Sequence, residues 1–298
     1  MKRRKEGLEL LSFFKPLSVI VAATAISAGT PTPSDAAGYS RSTWLWDTPL
    51  IRSEAADILD FATGNGLNTI YLQINRDVKD ADYKSFIQAA GELGIEVHAL
   101  DGRASWGFVK SRANIDASLD WLRDYQESAA AEEKFKGIHV DIEPYSLPGW
   151  SSGGSDFIAQ WQSNVRYIAS RADQLELPVH ADIPFWLYNY KTPEGNETLS
   201  RWMMRQYDGV TIMAYRDSAQ TIAGAADKEL EEAADLGVPA MIGVETLAAA
   251  EGANITFYGE GRSYLSGQLR QAERLLSGRN AFSGFAIHEY GAWRAMKE

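Results

Sequence analysis

The chain has 298 residues, 45% apolar and 23% charged, which is the composition of a globular protein with one large core. It contains no cysteine, which excludes disulfide bonds and a thiol nucleophile. Residues 1–37 hold five of the 29 basic and three of the 40 acidic side chains, so residues 38–298 have a net charge of −13 without a basic block, and we expect no nucleic-acid partner.

The N-terminus has the order of features of an export signal. A basic start is followed by an apolar run and then by a Pro-containing segment: Lys2-Arg3-Arg4-Lys5, Leu17 to Ala28, and Thr30-Pro31-Thr32-Pro33-Ser34. Small residues at Ser34 and Ala36 predict cleavage before Ala37, and the apolar run is too short for a confident membrane span. We therefore predict a signal peptide and linker over residues 1–37 and a secreted or extracytoplasmic bacterial protein with no stable membrane span after signal removal. The alternative is a disordered or amphipathic arm.

From residue 42 onward, short apolar runs rich in β-branched residues alternate with longer amphipathic segments, as in repeated βα units. Eight strands are predicted: Thr43–Asp47, Asn68–Asn75, Glu96–Asp101, Gly137–Glu143, Pro178–Pro184, Gly209–Tyr215, Pro239–Glu245 and Gly284–Glu289. The helical segments between them are Ser53–Gly64, Asp82–Gly94, Asn114–Lys134, Asp156–Leu175, Thr198–Tyr207, Ala223–Leu236 and Ser263–Leu276.

Eight such units favour a single-domain (β/α)₈ TIM barrel over residues 38–298, and we expect a monomer. Gly66, Gly94 and Gly237 each precede a strand, where a helix C-cap needs a left-handed residue. A doubly wound open sheet is the alternative, but no Gly-x-Gly-x-x-Gly motif follows the first strand.

Polar and acidic side chains gather at the predicted C-terminal ends of the strands, where barrel active sites are built. They are Asp47, Gln73, Asn75, Asp101, Asp141, Glu143, Asp182, Tyr215, Asp217, Glu245, His288 and Glu289. The opposite ends carry mostly Gly, Pro and aliphatic residues. Because half-buried carboxylates on one rim cost stability, this asymmetry predicts a functional face.

The fourth strand places three ionisable residues on one face. With a side-chain period of two, His139, Asp141 and Glu143 point the same way, into the barrel mouth. Two carboxyl groups this close shift each other's pKa, so one can remain protonated as a general acid. The alternative is that these carboxylates form structural pairs with Arg or Lys.

This segment resembles glycoside hydrolase family 18, whose fourth strand bears Asp-Gly-x-Asp-x-Asp-x-Glu. Gly137, Asp141 and Glu143 match that motif, whereas Lys136 and His139 replace its first two aspartates. Met213-Ala214-Tyr215 matches the family's Met-x-Tyr on the sixth strand, and His288 replaces the Trp of its closing strand. The resemblance implies that Glu143 protonates the glycosidic oxygen, that Asp141 orients a substrate acetamide attacking the sugar carbon, and that Tyr215 holds the same group.

Two further resemblances leave the chemistry open. Trp44-Leu45-Trp46-Asp47, Thr211–Asp217 and Ala286–Tyr290 are similar to segments of a bacterial group of exported barrel proteins labelled amidase. Glu143 and Glu245 also occupy the positions, after strands four and seven, of the acid/base and the nucleophile in the large clan of retaining barrel glycosidases, although Ile142 replaces that clan's Asn. Both carbohydrate interpretations make Glu143 the proton donor.

Aromatic residues support a sugar ligand, because flat rings stack on sugar faces. Six of the nine Trp lie at or just beyond predicted strand ends: Trp44, Trp46, Trp106, Trp150, Trp186 and Trp293. We predict that Trp44, Trp46 and Trp186 line the ligand cleft; the alternative for each ring is packing under a loop.

The four histidines all lie on predicted strands. His139, His180 and His288 with Asp182 or Glu289 would be the candidates for one divalent ion, but strand one lacks the His-x-His usual in metal-dependent barrel hydrolases. We expect neither a metal nor a cofactor. The chain also has no Gly-x-Ser-x-Gly, which disfavours a serine hydrolase.

These patterns together predict a glycosidase-like hydrolase that acts on an extracellular or cell-wall glycan. One alternative is an amidase, with or without the assistance of a metal ion. The other is a barrel that binds glycan without cleaving it. The presence of both Asp141 and Glu143 weighs against the last, because lectin-like relatives of family 18 generally lose the acid.

Overall fold

Eight parallel strands close into a barrel in chain order in the computed structural model, which describes residues 39–250 and 252–298. The strands are β1 Ser40–Leu45, β2 Thr69–Gln73, β3 Glu96–Asp101, β4 Gly137–Val140, β5 Val179–Pro184, β6 Gly209–Met213, β7 Ala240–Glu245 and β8 Phe282–His288. The barrel closes where β1 pairs with β8, with Thr43 opposite Ile287. The predicted (β/α)₈ barrel is confirmed, whereas the predicted signal peptide lies outside the described residues.

Helices follow the strands and cover the outside of the barrel. They are α1 Leu50–Ser53, α2 Ala55–Gly64, α3 Asp80–Glu92, α4 Arg112–Ser128, α5 Trp150–Gln174, α6 Leu199–Met204, α7 Ala219–Ala225, α8 Asp227–Leu236, α9 Arg262–Leu276 and α10 Tyr290–Ala295. Gly66, Gly94 and Gly237 have φ of 67°, 75° and 69°, which confirms their predicted left-handed conformation at helix ends. Among the described residues, no helix is long and apolar enough to cross a membrane.

The core has two layers because parallel strands are buried on both faces. Outward-facing aliphatic side chains such as Ile138, Ile183 and Ile212 pack against the helices. A smaller cluster that includes Trp44 and Tyr71 fills the barrel interior. Every residue of β6 is buried, as expected for a strand between two layers.

Several element boundaries differ from the sequence prediction. The fourth strand ends at Val140, so Asp141 and Glu143 lie in the loop that follows it. Pro144 has no amide hydrogen and restricts the residue before it, which prevents regular pairing there. The predicted helix over residues 53–64 corresponds to the end of α1 and all of α2, and the predicted helix over residues 223–236 corresponds to the end of α7 and all of α8. The short helix α10 was not predicted.

Histidines and aromatic rings fill the interior near the strand starts. The His98 and His180 rings lie 5.3 Å apart, and Tyr71 stacks on His139 with ring centroids 3.7 Å apart. Burial lowers the pKa of His180 to about 3, and His98 and His139 act in the same direction while Asp208 and Glu96 oppose them. Burial also holds the pKa of His139 well below its ordinary value. Both histidines are therefore neutral in the folded protein near pH 7.

We expect acid to destabilise the fold through His180. An unfolded histidine takes up a proton near pH 6.5, whereas folded His180 does so only near pH 3, so between these values the unfolded state binds more protons. The free energy of unfolding should fall with decreasing pH, by up to about 1.4 kcal/mol per pH unit from this group. Urea unfolding at pH 7 and pH 5 should show a loss about 1–2 kcal/mol larger for the wild type than for His180→Asn. Equal losses would contradict this assignment.

Candidate active site

A pair of neighbouring carboxyl groups lies at the mouth of the barrel, between β4 and β5. The two strands pair with His139 opposite His180 and Val140 opposite Ala181, and the same offset places Asp141 beside Asp182. Neighbouring strands are about 4.8 Å apart, so the two side chains point the same way at close range. Gly102 permits this arrangement, because a Cβ there would lie 1.9 Å from the Asp141 carbonyl oxygen.

Asp182 is held by two interior side chains. Trp44 Nε1 donates to Asp182 Oδ2 at 3.0 Å, and His139 Nε2 lies 2.9 Å from Asp182 Oδ1. Asp182 is only 4% exposed and His139 is fully buried. His139 thus occupies the interior of the barrel directly below the carboxyl pair.

Burial and neighbouring negative charges disfavour ionisation of both carboxyl groups, Asp141 and Asp182. Burial raises the pKa of Asp141 well above its ordinary value, and the charges of Asp182 and Glu143 raise it further. Burial also raises the pKa of Asp182, an effect that the hydrogen bond from Trp44 opposes and the charge of Glu143 reinforces. Asp141 Oδ1 is buried without a hydrogen-bond partner in the described part of the chain. Two such groups do not both ionise, so the pair retains a proton near neutral pH.

Glu143 lies two residues further along the same loop and is half-buried. Its Oε2 accepts a hydrogen bond from the Tyr145 hydroxyl at 2.8 Å, and its backbone carbonyl accepts one from Ser146 Oγ at 2.7 Å. Pro144 restricts its backbone. Glu143 is therefore an oriented carboxyl group that solvent and ligands can reach, in contrast to the buried carboxyl group of Asp182.

Glu245, at the end of β7, is surrounded by N–H donors. Its Oε1 accepts from the backbone N–H of Thr246 and Leu247, both at 2.7 Å, and His288 Nδ1 lies 3.0–3.1 Å from both carboxylate oxygens. Trp46 Nε1 donates to His288 Nε2 at 3.0 Å, which fixes a neutral tautomer with its proton on Nδ1. Although burial opposes the imidazolium, the hydrogen bond and charge of Glu245 raise the pKa of His288 above its ordinary value. Protonation at Nε2 would force the Trp46 N–H to turn away.

Glu143 and Glu245 border a cleft of about 570 Å³. Its polar lining includes Glu143, Tyr145, Tyr215 and Glu245. Its apolar lining includes Phe185, Trp186, Met213, Leu247, Ala248, Ala249, Ala250 and Ile255. Burial raises the pKa of Tyr215 well above its ordinary value, and the nearby carboxylates add to this, so its hydroxyl stays protonated and is able to donate a hydrogen bond. The cleft combines carboxyl groups, hydroxyl donors and an aromatic surface.

Several predicted site residues lie away from this cleft. Trp44 is 1% exposed and lies inside the barrel, so it offers no face to a ligand there. Asp101 points outward, because its neighbour Leu100 takes the inward position; Asp101 Oδ2 accepts from Ser118 on α4 at 2.5 Å. Together with Gln73 and Asn75, Asp101 borders a separate pocket.

The remaining predicted residues lie on loops and caps. Asp47 is exposed in the turn after β1, where its carbonyl accepts from the Leu50 N–H. Asp217 is half-buried, and its backbone N–H donates to Asn254 O. Glu289 caps α10 by accepting from the Gly291 and Ala292 N–H groups, which is a structural task.

Other cleft residues were missed from the sequence. Tyr145 was recognisable only as the residue after Glu143-Pro144, whereas the apolar loop Leu247–Ala250 has no motif. Arg216 also borders the cleft, with its guanidinium 4.6 Å from the Phe185 ring centroid and its Nη1 donating to Tyr215 O. Such residues are brought together only by loops that follow different strands.

The histidine set considered for a metal does not form a site. Within residues 39–250 and 252–298, no group of three or more His, Asp or Glu side chains is arranged to hold a metal ion. His180 packs against His98, whereas His139 contacts Asp182 and His288 contacts Glu245. Each histidine thus has its own interior partner.

The fold is similar to that of solved chitinases. A chitinase from Chromobacterium violaceum ATCC 12472 matches with a TM-score of 0.52 at 11% identity, covering 86% of this chain and 97% of that one. A class V chitinase from Pseudomonas fluorescens Pf-5 gives 0.52 at 12% identity, with 86% and 98% covered. A GH18 chitinase from Cycas revoluta in complex with (GlcNAc)₃ gives 0.50 at 11% identity, with 85% and 95% covered.

No family profile and no curated protein matches the sequence. At these identities the structural likeness concerns the fold alone, and it agrees with the (β/α)₈ barrel expected from the sequence. The chain has the (β/α)₈ barrel fold found in chitinases of glycoside hydrolase family 18.

Proposed function

We propose that the protein is a glycoside hydrolase that cleaves an extracytoplasmic or cell-wall glycan, with Glu143 as the general acid. The observation that carries this proposal is the arrangement of three carboxyl groups on β5 and the loop after β4: Glu143 is reachable from an aromatic-lined cleft, with half-buried Asp141 and buried Asp182 next to it. Family 18 barrels with bound (GlcNAc)₃ support a sugar ligand for this cleft.

In the proposed reaction, Glu143 donates its proton to the glycosidic oxygen as the bond from that oxygen to the sugar carbon breaks. The acetamide oxygen of the same sugar attacks the carbon from the other side, and Asp141 accepts a hydrogen bond from the acetamide N–H. A single proton on the carboxyl pair suits this role, because it leaves one negative charge beside the reacting acetamide. Tyr215 would donate to the acetamide oxygen.

The contacts of Glu245 favour this route over a covalent one. A nucleophilic carboxylate needs a free oxygen directed at the sugar carbon, but backbone N–H groups and His288 donate to the oxygens of Glu245. Such donors stabilise the anion and lower its nucleophilicity. We therefore assign Glu245 to binding and to the orientation of His288.

The proposal is tested by screening purified protein against cell-wall and polysaccharide libraries, with and without chelator, beside Glu143→Gln. Release of reducing ends by the wild type alone, insensitive to chelator, is the expected result. If no glycan is cleaved but some are bound by both proteins, the barrel is a binding protein.

Trp186 provides the aromatic surface of the cleft in this proposal. Its ring packs against Tyr145 and Tyr190, with ring centroids 4.8 and 5.6 Å away, which holds it in position. Trp186→Ala should lower glycan affinity about fivefold, since one stacked ring contributes about 1 kcal/mol. Calorimetric titration checks this, with Tyr264→Ala on α9, 40% exposed, as the control that leaves affinity unchanged. Equal affinity of Trp186→Ala and wild type would remove the ring from the ligand site.

We also propose that the protein is exported and matures by cleavage before Ala37. The basic start and the apolar run of the N-terminal sequence support this. Terminal sequencing of protein from the cell envelope or medium should find a chain that starts near Ala37; an intact Met1 there would contradict it.

A further inference from the structure

A second pocket of about 450 Å³ opens on the barrel rim at the ends of β2 and β3. Gln73, Asn75, Arg76, Asp101, Arg103 and Trp106 border it. It adjoins the catalytic loop: the Asp141 N–H donates to Asp101 O at 3.2 Å. Gly107, next to Trp106, packs so closely on Pro144 that an added Cβ would lie 2.4 Å from the proline Cβ. A glycan seated in the cleft would therefore meet this pocket by extending along the rim.

The pocket presents two unpaired cations. Arg76 and Arg103 are exposed, and neither forms an ion pair or a side-chain hydrogen bond with any residue in the ranges 39–250 and 252–298. Neither guanidinium contacts Asp101, whose two oxygens accept from Ser118 Oγ and the Gly102 N–H, although the charges of Arg103 and Arg76 oppose the effect of burial on its pKa. Asp77 is the other acid that borders the pocket. Two guanidinium groups are thus left without a paired carboxylate, in a domain whose overall charge is strongly negative.

Neutral hydrogen-bonding groups surround these charges. The amides of Gln73 and Asn75 offer donors and acceptors suited to sugar hydroxyls. Trp106 is 3% exposed, and its Nε1–H has no acceptor within the described chain, which leaves a buried donor unsatisfied at the pocket wall. The pocket therefore offers hydrogen-bonding groups and two unpaired guanidinium groups to a polar, negatively charged ligand.

We propose that this pocket is a subsite for a carboxylate-bearing sugar, held by Arg76 and Arg103, so that the substrate is an acidic glycan. The inference rests on the proposed function for the adjoining cleft. Arginine presents paired N–H donors that match the two oxygens of a carboxylate. Asp77 and Asp101 also border the pocket, and they would repel a phosphate dianion more strongly than a singly charged carboxylate.

The test measures binding to a glycan array of matched pairs, using Glu143→Gln to prevent turnover. Each pair consists of an oligosaccharide containing a sugar acid and its carboxyl-reduced counterpart, with phosphorylated oligosaccharides as a third arm. Glu143→Gln should bind the acidic member at least about tenfold more tightly, since hydrogen bonds to a charged group contribute about 1.5–3 kcal/mol. Adding Arg76→Gln and Arg103→Gln together should abolish this preference. Adding Arg274→Gln, an exposed arginine on α9, should preserve it.

The outcomes separate this inference from the proposed function. Equal binding of both members, or no binding of any member, overturns the subsite, and wild-type hydrolysis that depends on Glu143 would still support the glycosidase. A preference for acidic glycans that requires both arginines supports the subsite even if the wild type hydrolyses none of them. Tighter binding of phosphorylated than of carboxylated glycans overturns the carboxylate assignment.

Discussion

Glu143→Gln is expected to lower kcat by about 10²–10⁴ with little change in KM. Glutamine keeps the shape of the side chain and can still accept the hydrogen bond from the Tyr145 hydroxyl, but it has no proton to give to the leaving oxygen. Binding should persist because the aromatic and apolar walls of the cleft are unchanged. Steady-state kinetics on the glycan identified by screening, with calorimetric titration of the same ligand, measures the two effects separately.

A matched control for this substitution is Glu127→Gln, on the exposed surface of α4. It makes the same chemical change away from the cleft and should retain wild-type kcat. An activity that survives Glu143→Gln and is lost with chelator would defeat the glycosidase proposal and favour the metal-assisted amidase. Circular dichroism of both variants should be that of the wild type, since neither side chain belongs to the buried core.

The second large effect is expected for Asp141→Asn, with a loss of kcat of about 10²–10³, whereas Glu245→Gln should cost no more than about tenfold. Asparagine at position 141 removes the carboxylate that would orient and stabilise the reacting acetamide. It also leaves Asp182 without its carboxyl partner, so the proton distribution within the buried pair changes. Glu245, in contrast, is occupied by N–H donors and does not attack in the proposed mechanism.

A pair of substrates makes this comparison sharper. If the acetamide group is the nucleophile, a glycan with a 2-hydroxyl in place of the 2-acetamido group should not be cleaved by the wild type. Cleavage of the 2-hydroxyl glycan, together with a loss in Glu245→Gln as severe as that in Glu143→Gln, would instead establish the covalent route. Tyr215→Phe should lower activity on the acetamido substrate, because its hydroxyl is assigned to that group.

The sequence was sufficient to predict the barrel and the shared face of His139 and Asp141. Eight apolar runs that alternate with amphipathic segments predict eight strands, each followed by a helix. A closed parallel barrel with the helices on its outside buries the strands and the apolar face of each helix. The period of two along β4 placed His139 and Asp141 on one face, which agrees with the position of His139 below the carboxyl pair. These features depend on local periodicity, so they can be recognised without knowledge of distant contacts.

Other parts of the site depend on how the strands align. The offset between β4 and β5 puts Asp141 beside Asp182, and the bond from Trp44 to Asp182 joins residues 138 positions apart. Asp101 on β3 faces outward to Ser118, and Trp44 on β1 is buried, although both were predicted from the sequence to be ligand-binding residues. A one-residue change in alignment or direction reverses the face on which a strand side chain lies, and the sequence of one strand does not specify it.

The sequence by itself determined the fold class and predicted a carboxylate-rich rim that includes Glu143. Only the tertiary structure decided which rim residues meet: Glu143, Tyr215 and Glu245 border one cleft, while Gln73, Asn75 and Asp101 border another pocket. The physical reason is that a barrel's rim is assembled from loops that follow different strands. Their approach is set by strand offset, by close contacts such as Gly102 with Asp141, and by loop packing, none of which leaves a periodic pattern in the chain.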